Sequence, residues 1–495
     1  MNWNDLLSDR HLGSDILYDE TIESNYNKKE YIRNKFEKDY KRILSCASFR
    51  RLQDKTQVFP LDKSDFVRTR LTHSYEVSAI AKTLGTMIVS NIEKKGVNEK
   101  EKIAIKNIPD ILACAGLIHD IGNTPFGHFG EEIIQKWFET NLKNYLPDSG
   151  KNENGVVFEF DFSARYQNDF HRFDGNAQAL RLLTKLHFHD EGYGLNLTAS
   201  VLNTLIKYPN FSNEVLEKKE DGYTLLRKKM GCFHADEGRL MSILKLTGVD
   251  RRHRHPLTFI LEAADDIAYR TADIEDGLKK GLYTLDELIK FSEKECENYK
   301  TGMTYKLVDK LKTLKDENDD LQAMQKWIPY VQDWLMYVAV YRFDVKYASI
   351  MNGTYETDLF DDTFHEHSIE LFDKIMRKFV YSNREILKLE LSANTILTGL
   401  LNRFVPAVLY HDKKFKRVEY LEIASYSRLF DLLSDNYVQA YKLALDEFKL
   451  RRDINDEEML QYTVYLRLLL VVDYISGMTD SYAKTLYQEL AGIYD

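Results

Sequence analysis

The chain has 495 residues, 44% hydrophobic and 29% charged, a balance that excludes a disordered polypeptide, and its sparse 23 Gly and 8 Pro favour helix. Its 68 Lys and Arg against 78 Asp and Glu leave a net charge of −10, which argues against a general nucleic-acid coat but permits a local basic pocket. No apolar run approaches the roughly 18–20 residues of a membrane span. The opening string MNWNDLLSDRHLG lacks the basic-then-apolar order of a secretory signal.

In chain order, residues 27–53 read as a charged helix leading into a basic turn. From Leu71 to Ile92, Val77, Ile80, Ala81, Leu84, Ile88 and Ile92 recur at helical spacing and predict one buried face. Ile103 to Ile121 predicts a second helix, apolar nearly all round from Ile111 and therefore central, with Gly122 placed to end it. A third starts at His128. Residues 141–172 cluster Gly, Asn, Pro and Asp before the strand-like VVFEF, which predicts a surface loop with a hairpin. Helix resumes from Asp174 to His187. Residues 211–255 read as irregular, with GYTLLRKKM a short strand or turn, and Pro256 to Leu278 as a strong helix. From about residue 285 helix follows helix, with no repeat of fixed period and no Gly/Ser linker. Cys46, Cys114, Cys232 and Cys296 are far apart and form no CxxC pair, as expected of free thiols in a reducing cytoplasm.

The chemistry concentrates in GLIHDIGNTPFGHFGEE, Gly116 to Glu132. His119 and Asp120 fall at the end of a buried helix, where both are costly to bury without a metal or partners. With His73 upstream and Asp265 downstream they make two imidazoles and two carboxylates. That set suits Mn, Fe, Zn, Ni or Mg and leaves coordination positions open for water and substrate. Asp265, Tyr269 and Asp273 follow at i, i+4 and i+8, a polar stripe facing either solvent or a pocket; the apolar neighbours Ala263, Ala264, Ile267 and Ala268 favour the pocket. His128 and Glu131 stand at i and i+3, a spacing that lets a carboxylate orient an imidazole for proton transfer or simply caps the third helix. The basic runs Arg251 to His255 and Lys449 to Arg452 are either solvated loops or phosphate sites.

The pattern His73, His119-Asp120, Asp265 resembles the signature of the HD-domain metal-dependent phosphohydrolases. The strings FRRLQDKTQVFP, RTRLTHSYEV, HDIGNTPFGHFGE, FDGNAQALR, KYP and EAADDIAYRTADIEDG, spanning residues 49 to 277, resemble the deoxyguanosine triphosphate triphosphohydrolases. The resemblance implies an all-α fold. An HD-domain core would occupy residues 1–285, with the loop insertion at about 141–172. Helical residues 286–495 would complete the pocket and the subunit contacts. It implies hydrolysis of a dNTP, dGTP first, between the 5′-oxygen and the α-phosphorus, releasing deoxynucleoside and triphosphate. His73, His119, Asp120 and Asp265 would hold a divalent metal, Mn or Mg foremost. His128 would be the acid–base group, oriented by Glu131. Gln53 and Asp273 would bind the 3′-hydroxyl, the Tyr269 ring would pack where a ribonucleotide carries its 2′-hydroxyl, and Arg70, Lys207 and Tyr208 would hold the triphosphate. Asn176 and Gln178 would line or brace the pocket. The resemblance also implies a homo-oligomer, most often a hexamer, and in some relatives a nucleotide activator or single-stranded DNA binding. Arg251 to Arg254 would serve an activator site or a subunit contact. Asp174 stands where the family string more often has Glu, and Asn123-Thr124-Pro125 where it more often has Asn-Pro-Pro. The competing readings are another HD phosphohydrolase, a nucleotidase or phosphodiesterase, and a nucleic-acid-binding regulatory HD module.

Overall fold

A capping box opens the helix that carries His73. The Thr72 N–H donates to the Thr69 hydroxyl at 3.4 Å and the Thr69 N–H to the Thr72 hydroxyl at 3.0 Å, which satisfies two donors that a helix start leaves orphaned. In this computed structural model the described residues are 1–12, 34–59, 61, 64, 66–146, 149–151, 157–187, 192–297, 302–361, 366–412, 420–451 and 454–493. The helix, α1, runs Arg70–Glu93 and buries His73, Val77, Ile80, Ala81, Leu84, Ile88 and Ile92, the face that the periodicity predicts. The first part of the helix expected over residues 27–53, residues 27–33, lies outside the described residues; the remainder forms Lys35–Ser45 and Ala47–Arg51.

The helix expected from Ile103 to Ile121 is two: Glu99–Ile105, then α2, Ile108–Ile118. The break falls at Asn107 because Pro109 lacks an N–H and is tolerated in a first turn but not in an interior. Every α2 residue from Ile111 to Ile118 is buried. α2 lies tightly on α1: a Cβ at Gly116 would sit 2.6 Å from the Ser78 Cα. Gly122 does not terminate α2, which ends at Ile118, and its φ is not positive. A Cβ there would lie 2.1 Å from the Gly175 carbonyl oxygen and 2.3 Å from the Ala179 nitrogen. Its small size serves close packing.

Phe126 and Gly127 take φ of 64° and 61°, and this left-handed corner starts α3, Gly127–Asn141. β1 (Ser149–Lys151) and β2 (Val157–Glu159) pair antiparallel, with Gly150 opposite Phe158, the hairpin expected in the 141–172 loop. α4, Gly175–Arg181, continues as a π-turn to Leu186. The stretch 211–255 is less irregular than expected. Leu225–Arg227 is a 3₁₀ turn, but Glu237–Thr247 is an α-helix closed by Gly248 at φ 65°; its mixed polarity carries little periodic signal. α5, Pro256–Lys279, packs on α1 and α2, with Pro256 at its first turn.

Beyond it lie, among others, α6 (Asp320–Val345), α7 (Arg384–Tyr410) and α8 (Asp456–Ser476). α8 is buried from Gln461 to Ser476 and packs on α7. One hydrophobic core runs from Trp3 to Leu486, so the described residues beyond 285 pack onto the N-terminal part. Arg181 of α4 joins the two. It is buried, donates to Asp473 of α8 from Nε at 2.8 Å and Nη2 at 2.7 Å, and to Asp236 at 3.3 Å. The four cysteines are free and buried. Among the described residues no helix is long and apolar enough to cross a membrane.

Candidate metal centre and the cleft beside it

Three elements deliver the central groups. α1 supplies His73 from its first turn, the end of α2 supplies His119 and Asp120, and α5 supplies Asp265. His73 Nε2 lies 3.2 Å and His119 Nε2 3.3 Å from the same Asp265 Oδ1, and the two rings stand 5.2 Å apart at 68°. The ligand atoms of His73, His119 and Asp265 all fall within 4.8 Å of one another. His119 Nδ1–H donates to the Gly116 carbonyl at 2.8 Å, which assigns the lone pair to Nε2, and that buried Nε2 has no hydrogen-bond partner. A buried, orphaned imidazole nitrogen facing a half-buried carboxylate, beside a second imidazole, fits a divalent cation.

Asp120 stands at the edge of this cluster. Its Oδ2 is 3.5 Å from His119 Nε2 and accepts from Arg70 Nη1 at 2.5 Å, while Oδ1 accepts from Asn123 Nδ2 at 2.6 Å. Burial works to raise its pKa, and His119 and Arg70 overcome that and hold the carboxyl well below its ordinary range. Lys207 Nζ donates to Asp265 Oδ2 at 3.1 Å. Two cations expected at the triphosphate, Arg70 and Lys207, thus pair with two expected metal ligands. Tyr208 lies beside them, buried, with the Arg254 guanidinium 5.5 Å from its ring.

His128 sits in the first turn of α3 and Glu131 at the start of the next. His128 Nδ1 and Glu131 Oε2 are 3.0 Å apart, and Glu131 Oε1 accepts from the Gly175 N–H at 2.9 Å. Glu131 is buried, whereas the His128 side chain is 77% exposed. It opens onto a cleft of about 780 Å³ lined also by Asp174, Arg172, Lys228, Lys229 and Met230. The hydrogen bond with Glu131 raises the pKa of His128 above its ordinary value. Burial works to raise that of Glu131, and His128 more than offsets it.

The remaining expected residues are dispersed around this centre. Tyr269 is half-buried, one turn beyond Asp265, with the Arg270 guanidinium 4.7 Å from its ring. Asp273, a turn further, is buried, and burial pushes its pKa well up; Arg68 and Arg70 are the cations that oppose this. Gln53 is exposed in a separate groove with Phe59, Arg68 and Asp480. Asn176 Nδ2 donates to Asp174 Oδ1 at 2.6 Å, and Gln178 points away to Asp473 at 3.0 Å, a brace. Much of the basic run 251–255 is engaged internally. Arg251 pairs with Glu214, Arg254 donates to Glu262 at 2.9 Å, His255 caps α5, and Arg252 is the exposed member. Arg452 of the second basic run lies outside the described residues.

Some groups escape a reading of the sequence. Lys55 Nζ, fully buried with its pKa pushed down to about 7 by burial, donates to the Asn123 carbonyl at 2.5 Å and the Ser476 carbonyl at 2.7 Å. Asp480 accepts from the Phe126 N–H at 2.9 Å and from the Thr56 hydroxyl. The C-terminal region therefore holds the loop between Asp120 and His128. Lys229 pairs with Asp174 at 2.7 Å. Its only sequence signal is the Lys228-Lys229 doublet.

Comparison with known proteins agrees with this geometry. Residues 70–233 match the HD domain and residues 401–489 the phosphohydrolase-associated domain. The chain is 40% identical to a deoxyguanosinetriphosphate triphosphohydrolase-like protein of Listeria monocytogenes over 100% of both chains. It is 31% identical to such a protein of Synechocystis, again over 100% of both. It is also 31% identical to a deoxyguanosinetriphosphate triphosphohydrolase of Klebsiella pneumoniae, over 92% of this chain and 94% of that one.

Proposed function

This chain belongs to the deoxyguanosinetriphosphate triphosphohydrolase family of HD-domain proteins, and from that premise we propose that it is a metal-dependent dNTP triphosphohydrolase. Its preferred reaction is dGTP plus water to deoxyguanosine plus inorganic triphosphate. The observation that carries the reading is the convergence of His73, His119 and Asp265, with an orphaned imidazole nitrogen, beside a His–Glu pair at the mouth of a large cleft.

His73, His119, Asp120 and Asp265 would hold the ion, Mn or Mg by preference. When bound, a divalent ion neutralises phosphate charge and supplies an activated water at neutral pH. Arg70, Lys207 and Tyr208 bind the triphosphate, the two cations exchanging carboxylate partners for phosphate oxygens. The 5′-oxygen is a poor leaving group. Because Nδ1 of His128 is engaged by Glu131, its Nε2–H is the proton that reaches it. Gln53 and Asp273 bind the 3′-hydroxyl. Tyr269 packs on the sugar and discriminates against ribonucleotides by leaving no room for a hydroxyl. Residues 1–285 form the catalytic core and 286–495 complete it. Exposed Tyr337, Tyr341 and Val345 on α6 supply apolar surface for a homo-oligomeric, hexameric assembly.

The test is turnover of each dNTP and of GTP with Mn or Mg, products separated by ion exchange, and His119→Ala as control. Triphosphate release from dNTPs, dGTP fastest, with none from GTP or the variant, supports the reading. Orthophosphate, pyrophosphate or a monophosphate moves the chain to another HD phosphohydrolase activity. Absence of turnover with any nucleotide, alone or with a second dNTP, favours a regulatory role.

A further inference from the structure

Lys229 lies on a segment whose backbone is fixed. The Gly231 N–H donates to the Asn210 carbonyl at 3.0 Å, Asn210 Nδ2 donates to the Lys229 carbonyl at 3.3 Å, and a Cβ at Gly231 would meet the Tyr208 carbonyl oxygen at 1.8 Å. The side chain is thereby aimed at Asp174, with Nζ 2.7 Å from Oδ2. Asp174 is buried, and its Oδ1 accepts from the Asn176 N–H at 2.8 Å, which caps α4. The residue between them, Gly175, donates its N–H to Glu131 at 2.9 Å. A Cβ at Gly175 would stand 2.6 Å from both Glu131 Oε1 and Asn123 Oδ1, so any larger residue there would displace the Glu131 and Asn123 side chains. Lys229 is linked to the His128 ring through Asp174, Gly175 and Glu131 in turn.

We infer that Lys229 and Asp174 are a positioning pair for the proton-transferring His128–Glu131 pair, an inference that rests on the acid–base reading of His128. The pair does two things. It fixes the first turn of α4, and so the amide that holds Glu131. It also places one cation against two buried carboxylates, Asp174 and Glu131, that would otherwise repel each other and take up a proton between them. Burial and then Glu131 push the pKa of Asp174 up, and Lys229 opposes both and also draws that of Glu131 down. A protonated Glu131 would not hold His128 as imidazolium. The charged groups facing His128 are Glu131 on its own helix, Arg70 from α1 and Lys229 from the 228–232 segment, with Glu132, Glu139, His171, Arg172, Asp174, Glu217 and Lys228 further along the cleft.

The experiment measures kcat and KM for triphosphate release against pH in wild type, Lys229→Met, Lys229→Arg, Asp174→Asn and the double variants Lys229→Met/Asp174→Asn and Lys229→Met/Glu131→Gln. Thermal melts confirm that each is folded. His128→Ala and Glu131→Gln serve as references. Lys229→Met should lower kcat about tenfold with KM within about twofold, and add little to Glu131→Gln. Loss of the cation in Lys229→Met should raise the pKa of Glu131 and of His128 together, moving the acid and the alkaline limb up, and loss of the anion in Asp174→Asn should move both down. Each shift should be on the order of half a pH unit. Lys229→Met/Asp174→Asn should return both limbs towards wild type, and Lys229→Arg should restore kcat. A raised KM with kcat and both limbs unchanged, or effects that add fully to Glu131→Gln, would mean that Lys229 grips the phosphates, and would overturn the inference while leaving His128 in its role. Wild-type kcat in His128→Ala would remove the acid–base reading, and the inference with it.

Discussion

Replacing Glu131 by Gln keeps the shape of the side chain and removes its charge. Glu131 is buried, accepts the Gly175 N–H through Oε1 and engages His128 Nδ1 through Oε2. Gln can satisfy Gly175 through its carbonyl, but it then offers an NH₂ to His128 where a proton acceptor is needed. A hydrogen bond to a charged group contributes about 1.5–3 kcal/mol. The His128 side chain is 77% exposed, so solvent screening puts the loss at or below the low end of that range. About 1.4 kcal/mol is tenfold in rate, and kcat should fall by about that factor. The direction in pH follows from the protonated form being the donor. His128 has its pKa raised above the ordinary value of 6.5, chiefly by the hydrogen bond with Glu131. Activity is therefore present below the raised pKa and lost as pH rises through it. Without Glu131 the pKa falls, and the alkaline limb should move to lower pH. The assay is kcat for triphosphate release from pH 5.5 to 9.5, limited by enzyme and not by metal. An unchanged alkaline limb, or a loss confined to KM, refutes the assignment of Glu131 as the partner of a general acid.

Other outcomes follow from packing and charge. At about 2.1 cal/mol/K per residue, a chain of 495 residues should shift its Tm by about 1 °C per kcal/mol. Asp473→Ala strips buried Arg181 of its main partner; calorimetry should show a loss of about 3–5 °C, and a loss below 1 °C would mean that the link between α4 and α8 contributes little. Gly122→Ala forces a methyl within 2.1 Å of the Gly175 carbonyl oxygen, so it should cost about 1–3 kcal/mol and reduce kcat by displacing α4; wild-type kcat and Tm together would contradict this. Saturating Mn should raise the Tm by about 3 °C at a hundredfold excess over its Kd. The rise should vanish in His119→Ala and Asp265→Ala, and one that persists in both places the ion elsewhere. Asp39 is buried, with no hydrogen bond to Oδ1 and the Arg42 guanidinium 3.7 Å from it, and burial pushes its pKa up to about 6. The stability that it contributes is present below its unfolded value and lost as pH rises through 6. The Tm of Asp39→Asn relative to wild type should therefore be higher at pH 8 than at pH 5, and an equal difference at both would count against the shift.

What the sequence makes legible is what one helix face can express. The spacing of Val77, Ile80, Leu84 and Ile88 fixes α1, and with it the position of His73 in its first turn. Pro256 and the Asp265, Tyr269, Asp273 stripe do the same for α5. The 141–172 hairpin announces itself by its turn residues. The sequence is less informative wherever the reason for a residue lies on another element. Gly122 looks like a helix terminator and is a contact with Gly175 and Ala179. Arg251 and Arg254 look like a phosphate cluster and are matched by Glu214, 37 residues upstream, and by Glu262, two helical turns along α5. Lys229, Lys55 and Asp480 act on the site through partners up to several hundred residues away, and local pattern carries no trace of such pairings.

The central claim is tested most directly by hydrolysing dGTP with the Mn-loaded protein in ¹⁸O-labelled water and identifying both products and the position of the label. Unlabelled deoxyguanosine and intact triphosphate carrying one ¹⁸O should form, with neither formed by His119→Ala. Labelled orthophosphate, pyrophosphate or dGMP, or label in the deoxyguanosine 5′-oxygen, would contradict the claim.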